Sequence, residues 1–154
     1  MAPGTYSQLI IQLIFAVKNR NGLLRKPHRD TLYPYMATHL NNKGHKCILI
    51  NGMPDHIHIL LGLNPKHAIS DTVRDLKRSS SLFINEQKWF VGKFSWQEGY
   101  GAFSYSKSDL DKVYQYILNQ EEHHKKFSFK QEYIGFLKKF EIEFDDNYLF
   151  EFFE

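Results

Sequence analysis

An α+β fold, an antiparallel sheet with helices packed against it, is predicted by three observations on this 154-residue chain. A stretch near the start alternates apolar and polar side chains. Two apolar runs flank a Gly-Met-Pro-Asp turn. Later segments repeat apolar residues every three to four positions, as helices do. The length suits one domain over residues 1–154.

Residues 7–17 set Leu9, Ile11, Leu13, Phe15 and Val17 on one face and Gln8 and Gln12 on the other, the pattern of a half-buried strand. Residues 18–29 are basic and turn-rich, and read as a loop. A helix is predicted from about Asp30 to Gly44, with Pro34 in its first turn, where a missing N–H costs little. Runs 45–51 and 56–63, separated by Gly52-Met53-Pro54-Asp55, read as a hairpin. Ser70 or Asp71 caps a helix reaching Gln87, with Arg74, Lys77 and Arg78 on its exposed side. Residues 89–106 mix glycines with aromatics and read as a strand followed by an irregular loop. Ser108 caps a helix over 109–124, and a short helix near 129–139 precedes an extended, phenylalanine-rich end. The order β-α-β-β-α-β followed by helix is that of a split βαβ, ferredoxin-like sheet. Helices would cover one face, leave the other available, and be joined by a C-terminal helix carrying Tyr116.

Net charge is +3 with a sequence pI near 8.9, which is compatible with a nucleic-acid partner without selecting one. The lone Cys47 excludes an internal disulfide framework, fits a reducing compartment, and sits in an apolar run as a small buried hydrophobe. No apolar stretch is long enough to span a membrane, and the first residues lack the plan of a signal peptide, so a cytoplasmic protein is expected.

His56-Ile57-His58 is the first chemical feature. Residues i and i+2 of a strand share a face, so both imidazoles project together while Ile57, Ile59, Leu61 and Leu63 turn to the core. Two neutral imidazoles make a partial site for a divalent metal, and Asp55 is placed to orient one ring. A catalytic metal needs a third protein ligand. The helix over 109–124 offers one. Leu110, Val113, Tyr114, Ile117 and Leu118 form its core stripe, whereas Tyr116 and Gln120, four residues apart, stack on a flank extended by Lys112 and His123. A phenol can attack phosphorus, and a metal on the phosphate would offset its weak nucleophilicity. Two imidazoles with the amide oxygen of Gln120 suit Mg²⁺ or Mn²⁺.

These residues carry a resemblance. Pro54-Asp55-His56-Ile57-His58-Ile59-Leu60 resembles the His-hydrophobic-His motif of single-tyrosine insertion-sequence transposases of the TnpA type. Tyr116-Ile117-Leu118-Asn119-Gln120 resembles that family's Tyr-x-x-x-Gln motif, and Trp96-Gln97-Glu98-Gly99-Tyr100 is similar to a stretch of its close relatives. The resemblance implies a catalytic Tyr116 and the metal ligands His56, His58 and Gln120. It implies binding of single-stranded DNA hairpins at element ends, and cleavage and rejoining through a 5′-phosphotyrosine without a nucleotide cofactor. It also implies a homodimer in which the tyrosine helix of one subunit completes the histidine site of the other. Candidate DNA contacts are Arg25 and Lys26, with Arg20 and Arg29 beside them, then Arg74, Lys77 and Arg78, and Lys112 and His123. Trp96 and Tyr100 are candidates to stack on a base or to pack internally. Two other readings fit parts of the pattern: a domesticated hairpin-binding protein that no longer transposes, and a metal-dependent nuclease that uses water.

Overall fold

Residues 3–153 are described by a computed structural model. Four strands, β1 (Ile10–Ala16), β2 (Lys46–Met53), β3 (His56–Gly62) and β4 (Gly101–Tyr105), form an antiparallel sheet in the order β2-β3-β1-β4. Helices α1 (Lys26–Asn42) and α2 (Ile69–Gln87) supply the crossovers, and α3 (Leu110–Leu118), α4 (Gln120–His123) and α5 (Phe129–Lys139) follow β4. This is the expected α+β arrangement.

The register sorts the side chains. Residues paired across antiparallel strands share a face. Ile11 pairs with Leu61, Leu13 with Ile59 and Phe15 with Ile57. That face packs on Leu32, Met36 and Leu40 of α1 and on Val73, Leu76 and Ile84 of α2. On the other face Gln12 pairs with Leu60 and Phe103, Ile14 with His58, and Ala16 with His56. This second face is covered too, which corrects the expectation of an available one. Val113 and Ile117 of α3 pack on Ile10 and Leu60, and Phe136 of α5 stacks on Phe103 at 5.3 Å. Every residue of β1 is buried.

Several boundaries differ from the sequence reading, and α2 begins at Ile69 behind Ala68, which places the expected caps Ser70 and Asp71 inside its first turn. The first helix begins at Lys26, inside the predicted basic loop, because Pro27 starts its first turn. Pro34 therefore lies in the helix interior. In residues 89–106 the order is reversed. Lys88, at φ 57°, ends α2, an irregular segment follows, and the strand comes last. There Phe94 and Trp96 act as separate core plugs, 5.0 Å apart and edge to face, so apolar density without alternation marked no strand. The predicted 109–124 helix is broken at Asn119 and begins at Leu110 after a single 3-10 turn, with Asp109 rather than Ser108 at its start. Among the described residues, no helix is long and apolar enough to cross a membrane.

Candidate active site

The histidine strand is held at both ends. Pro54 and Asp55 form the hairpin turn, whose carbonyls accept hydrogen bonds from the N–H groups of Leu24 (2.8 Å) and Val17 (2.9 Å). Gly52 is required beside it, because a Cβ there would collide with the His56 carbonyl and lie 2.9 Å from Ile57 Cα. His56 and His58 are buried with ring centroids 5.1 Å apart.

Each imidazole is oriented from behind. His56 Nδ1 lies 2.7 Å from Asp55 Oδ1, and His58 Nδ1 lies 2.8 Å from Gln12 Oε1. Gln12 is fixed in turn, its amide donating to the Tyr105 hydroxyl at 2.8 Å. With the Nδ1 hydrogens donated backwards, both Nε2 atoms face the same space. The Phe129 ring lies parallel to His56 at 3.9 Å and fixes its plane.

α5 sends Glu132 into that space. Its Oε1 is 3.2 Å from His56 Nε2, 3.1 Å from His58 Nε2 and 3.3 Å from His124 Nε2. Its Oε2 accepts hydrogen bonds from the Tyr116 hydroxyl and, at 2.9 Å, from the Gln120 amide. Gln120 Oε1 lies 3.0 Å from His56 Nε2 and 3.1 Å from His124 Nε2. The glutamate side chain is only 3% exposed.

These contacts set the charges. Burial opposes a positive His56, but its bonds to Asp55 and Glu132 outweigh burial and push it up to about 9. Burial, reinforced by the neighbouring imidazoles, holds His58 below the usual range despite Glu132. Burial opposes the charge on Glu132, yet the three imidazoles hold it ionised, far below the usual carboxylate range. Burial and then the Glu132 charge push Tyr116 well above the ordinary phenol value, so the resting phenol is protonated.

The cluster fits a divalent cation. The ligand atoms of His56, His58 and Glu132 lie within 4.8 Å of one another, and Gln120 Oε1 borders them. Two imidazole lone pairs and a carboxylate oxygen this close repel unless a proton or cation lies between them.

Of the sequence-predicted residues, the structure brings together His56, His58, Tyr116 and Gln120. Tyr116 stands over its own chain's histidines, its ring 6.2 Å from that of His58. His123 packs on Tyr116 at 4.3 Å, and Lys112 lines the adjoining cavity. The other candidate DNA contacts lie elsewhere. Arg74, Lys77 and Arg78 ride on α2, across the sheet from the histidines. Lys77 turns inward, donating to the carbonyls of Gln97 (2.8 Å) and Gly99 (2.6 Å), with its ammonium 5.4 Å from the Phe15 ring. Arg74 pairs with Asp71 and Asp75, and Lys26 with Asp30. Arg29 is buried, donating to the Leu24 carbonyl, while Arg25 precedes α1 on the surface. Trp96 is internal, donating to Ser80 Oγ at 2.9 Å. Cys47 is half-buried rather than buried, and burial raises its thiol to about 11.

Sequence reasoning missed Glu132. A signal for Glu132 existed. Phe129, Tyr133, Phe136, Leu137 and Phe140 follow helical spacing, and Glu132 falls on that same stripe. An acid within an apolar stripe calls for a buried partner.

A tyrosine helix set against a paired-histidine strand, on a split βαβ sheet, is the architecture of a tyrosine transposase. Residues 5–120 match the family described as IS200-like transposases, and the chain belongs to that family of mobile-element recombination enzymes. It is 30% identical over 126 residues to the ISDra2 transposase TnpA of Deinococcus radiodurans, covering 77% of this chain and 89% of that protein. A crystal structure of a candidate transposase from Deinococcus radiodurans R1 superposes with a TM-score of 0.61 at 28% identity, over 78% of this chain and 96% of the other. The fold also matches a REP-associated tyrosine transposase bound to a REP hairpin, with a TM-score of 0.59 at 14% identity, over 80% and 74% of the two chains. Helix α5, with Glu132, lies beyond the residues matched to the family.

Proposed function

We propose that this chain binds single-stranded DNA hairpins at the ends of its element, and that it cleaves and rejoins strands through a 5′-phosphotyrosine at Tyr116. The carrying observation is that one carboxylate, Glu132, touches the Tyr116 hydroxyl with one oxygen and faces His56 and His58 Nε2 with the other. A phenol is thereby fixed beside a cation-binding cluster.

In cleavage, the Tyr116 oxygen forms a bond to phosphorus and the bond from phosphorus to the 3′ oxygen breaks. The phenolic proton leaves to solvent as that bond forms, while Glu132 Oε2 orients the hydroxyl through the hydrogen bond it accepts. The departing 3′ oxygen takes a proton from solvent and becomes a free 3′-OH. Rejoining reverses these bonds with another strand's 3′-OH, so no nucleotide cofactor is required. His56, His58, Glu132 and Gln120 would hold Mg²⁺ or Mn²⁺, which when bound withdraws charge from the phosphoryl oxygens. Asp55 and Gln12 keep both imidazoles turned toward that position. Asn51 fixes the tyrosine helix, donating to the carbonyls of Ile117 (2.9 Å) and Leu118 (3.1 Å) where α3 ends. We place the reaction within one chain, since Tyr116 touches Glu132 and faces His58 of the same chain.

The test uses hairpin oligonucleotides from the DNA flanking the gene, labelled at either end, with Mg²⁺ or Mn²⁺. A 3′-end label should travel with the protein on a denaturing gel and a 5′-end label should be released. Chelation should stop both. Retention of the 5′-end label, or cutting without an adduct, would contradict the reading.

A further inference from the structure

Beside Tyr116, between α3 and α5, lies an open cavity of about 480 Å³. That is within the roughly 300–1,000 Å³ of small-molecule sites. The aromatic residues Tyr105, Phe127 and Phe136 line it, and Phe127 is 53% exposed at its edge. Lys112 and Lys139 add cationic groups to the lining, and His123 adds an imidazole. The cavity is continuous with the proposed site, because Tyr116 and Glu132 form part of its wall.

Gly135 also lines this cavity. It sits in the interior of α5, where glycine is less stable than alanine. No close packing requires it, since a Cβ there would meet nothing within 4 Å. The effect of glycine at this position is to keep the cavity open.

We propose that this cavity receives one unstacked nucleobase of the single strand adjoining the phosphate presented to Tyr116. The inference rests on the reading that the chain acts on single-stranded DNA. Aromatic walls accept any base through its π-face, and cations beside them suit the flanking phosphates. The Gln131 side chain, whose Oε1 is occupied by the Ser128 N–H, still has its amide hydrogens to offer a base edge.

Gly135→Leu would place a bulky side chain inside the cavity, and Gly135→Ala serves as the control that leaves most of it empty. Thermal unfolding should show both at least as stable as the parent chain. Fluorescence polarisation then compares a labelled dT 20-mer with a 20-mer of abasic tetrahydrofuran units. The dT strand should bind Gly135→Leu more weakly than the parent by roughly 5- to 150-fold, the range expected for one base stack. The abasic strand should bind both equally, and Gly135→Ala should behave like the parent. Equal dT affinity of the parent and a folded Gly135→Leu would overturn the base pocket while leaving the function reading intact. So would a change in oligomeric state with unaltered dT affinity, which would mark the cavity as a contact between copies of the chain. Failure of the parent to bind either strand would overturn the pocket, and failure to bind the flanking hairpin oligonucleotides as well would overturn the function reading beneath it.

Discussion

Leu76 and Glu132 are both buried, on opposite faces of one sheet, and for different reasons. Behind the sheet, Leu76 belongs to an aliphatic layer of α1 and α2 in which shape and volume decide the fit. In front, Glu132 is buried because five polar partners need it: three imidazoles, a phenol and an amide. The rear face tolerates chemical exchange among similar volumes. The front face tolerates almost none, since removing one member leaves the others buried without a partner. The sheet joins the two, with Ile57 facing the rear core between His56 and His58 facing the front.

That contrast can be broken by substitution, beginning with the largest effect. Tyr116→Phe should lower adduct formation on the order of 10³-fold or more, while the chain stays folded and still binds its hairpin. Denaturing gels and a gel shift measure the two. Leu76→Ala should cost about 2–5 kcal/mol in urea unfolding yet leave adduct yield per folded molecule unchanged. A proportionate loss of activity would mean that the rear face does more than support.

Asp55→Asn should weaken Mn²⁺ binding roughly 10- to 100-fold, read by electron paramagnetic resonance, with little change in stability. Lys112→Ala should reduce the salt dependence of DNA binding by about one unit of slope, whereas Arg78→Ala, behind the sheet, should leave it unchanged. An effect of Arg78 would show that DNA also wraps the rear face.

The smallest effect concerns His45, buried beside His67 and His39. Its Nδ1 accepts the Asn64 N–H at 2.8 Å, so the ring must be neutral there. Burial first, then those two imidazoles, lower its affinity for protons. The unfolded chain takes up that proton more readily, so stability present above about pH 6.5 is lost as pH falls through the lower folded value. His45→Gln should therefore flatten the decline in stability between neutral and mildly acidic pH, measured against the parent by thermal melts.

The rear face was the more legible in sequence. Alternation in β1 and helical periodicity in α2 are local patterns; the two faces of β1 reappear in its register although both are buried rather than one, and α2 reappears as a helix. On the front, His56 and His58 were legible from their spacing on one strand, and Tyr116 and Gln120 from a four-residue spacing that survives the break between α3 and α4. Glu132 was not found, since it reaches the histidines from more than 70 residues away along the chain, and only the fold makes them neighbours. The break at Asn119 escaped notice for a similar reason. Its stabiliser, the Asn51 side chain, lies on a different strand. Gln97 shows the same limit. The resemblance singled it out, but its role is tertiary: its amide donates to the carbonyls of Val17 and Glu151, and its oxygen accepts the Glu151 N–H. It thus holds the chain's end, with Phe150 and Phe152, against Phe129, the ring stacked on His56.

The central claim is that one chain assembles the whole site, Tyr116 working with its own His56, His58 and Glu132. The direct measurement mixes two inactive variants, Tyr116→Phe and His58→Ala, after co-expression or partial unfolding and refolding together. If the site lies within one chain, the mixture should form no more adduct than either variant alone. Recovery of adduct toward a quarter or more of the parent yield, as statistical pairing of subunits would give, would contradict the account and place the tyrosine of one subunit at the histidines of another.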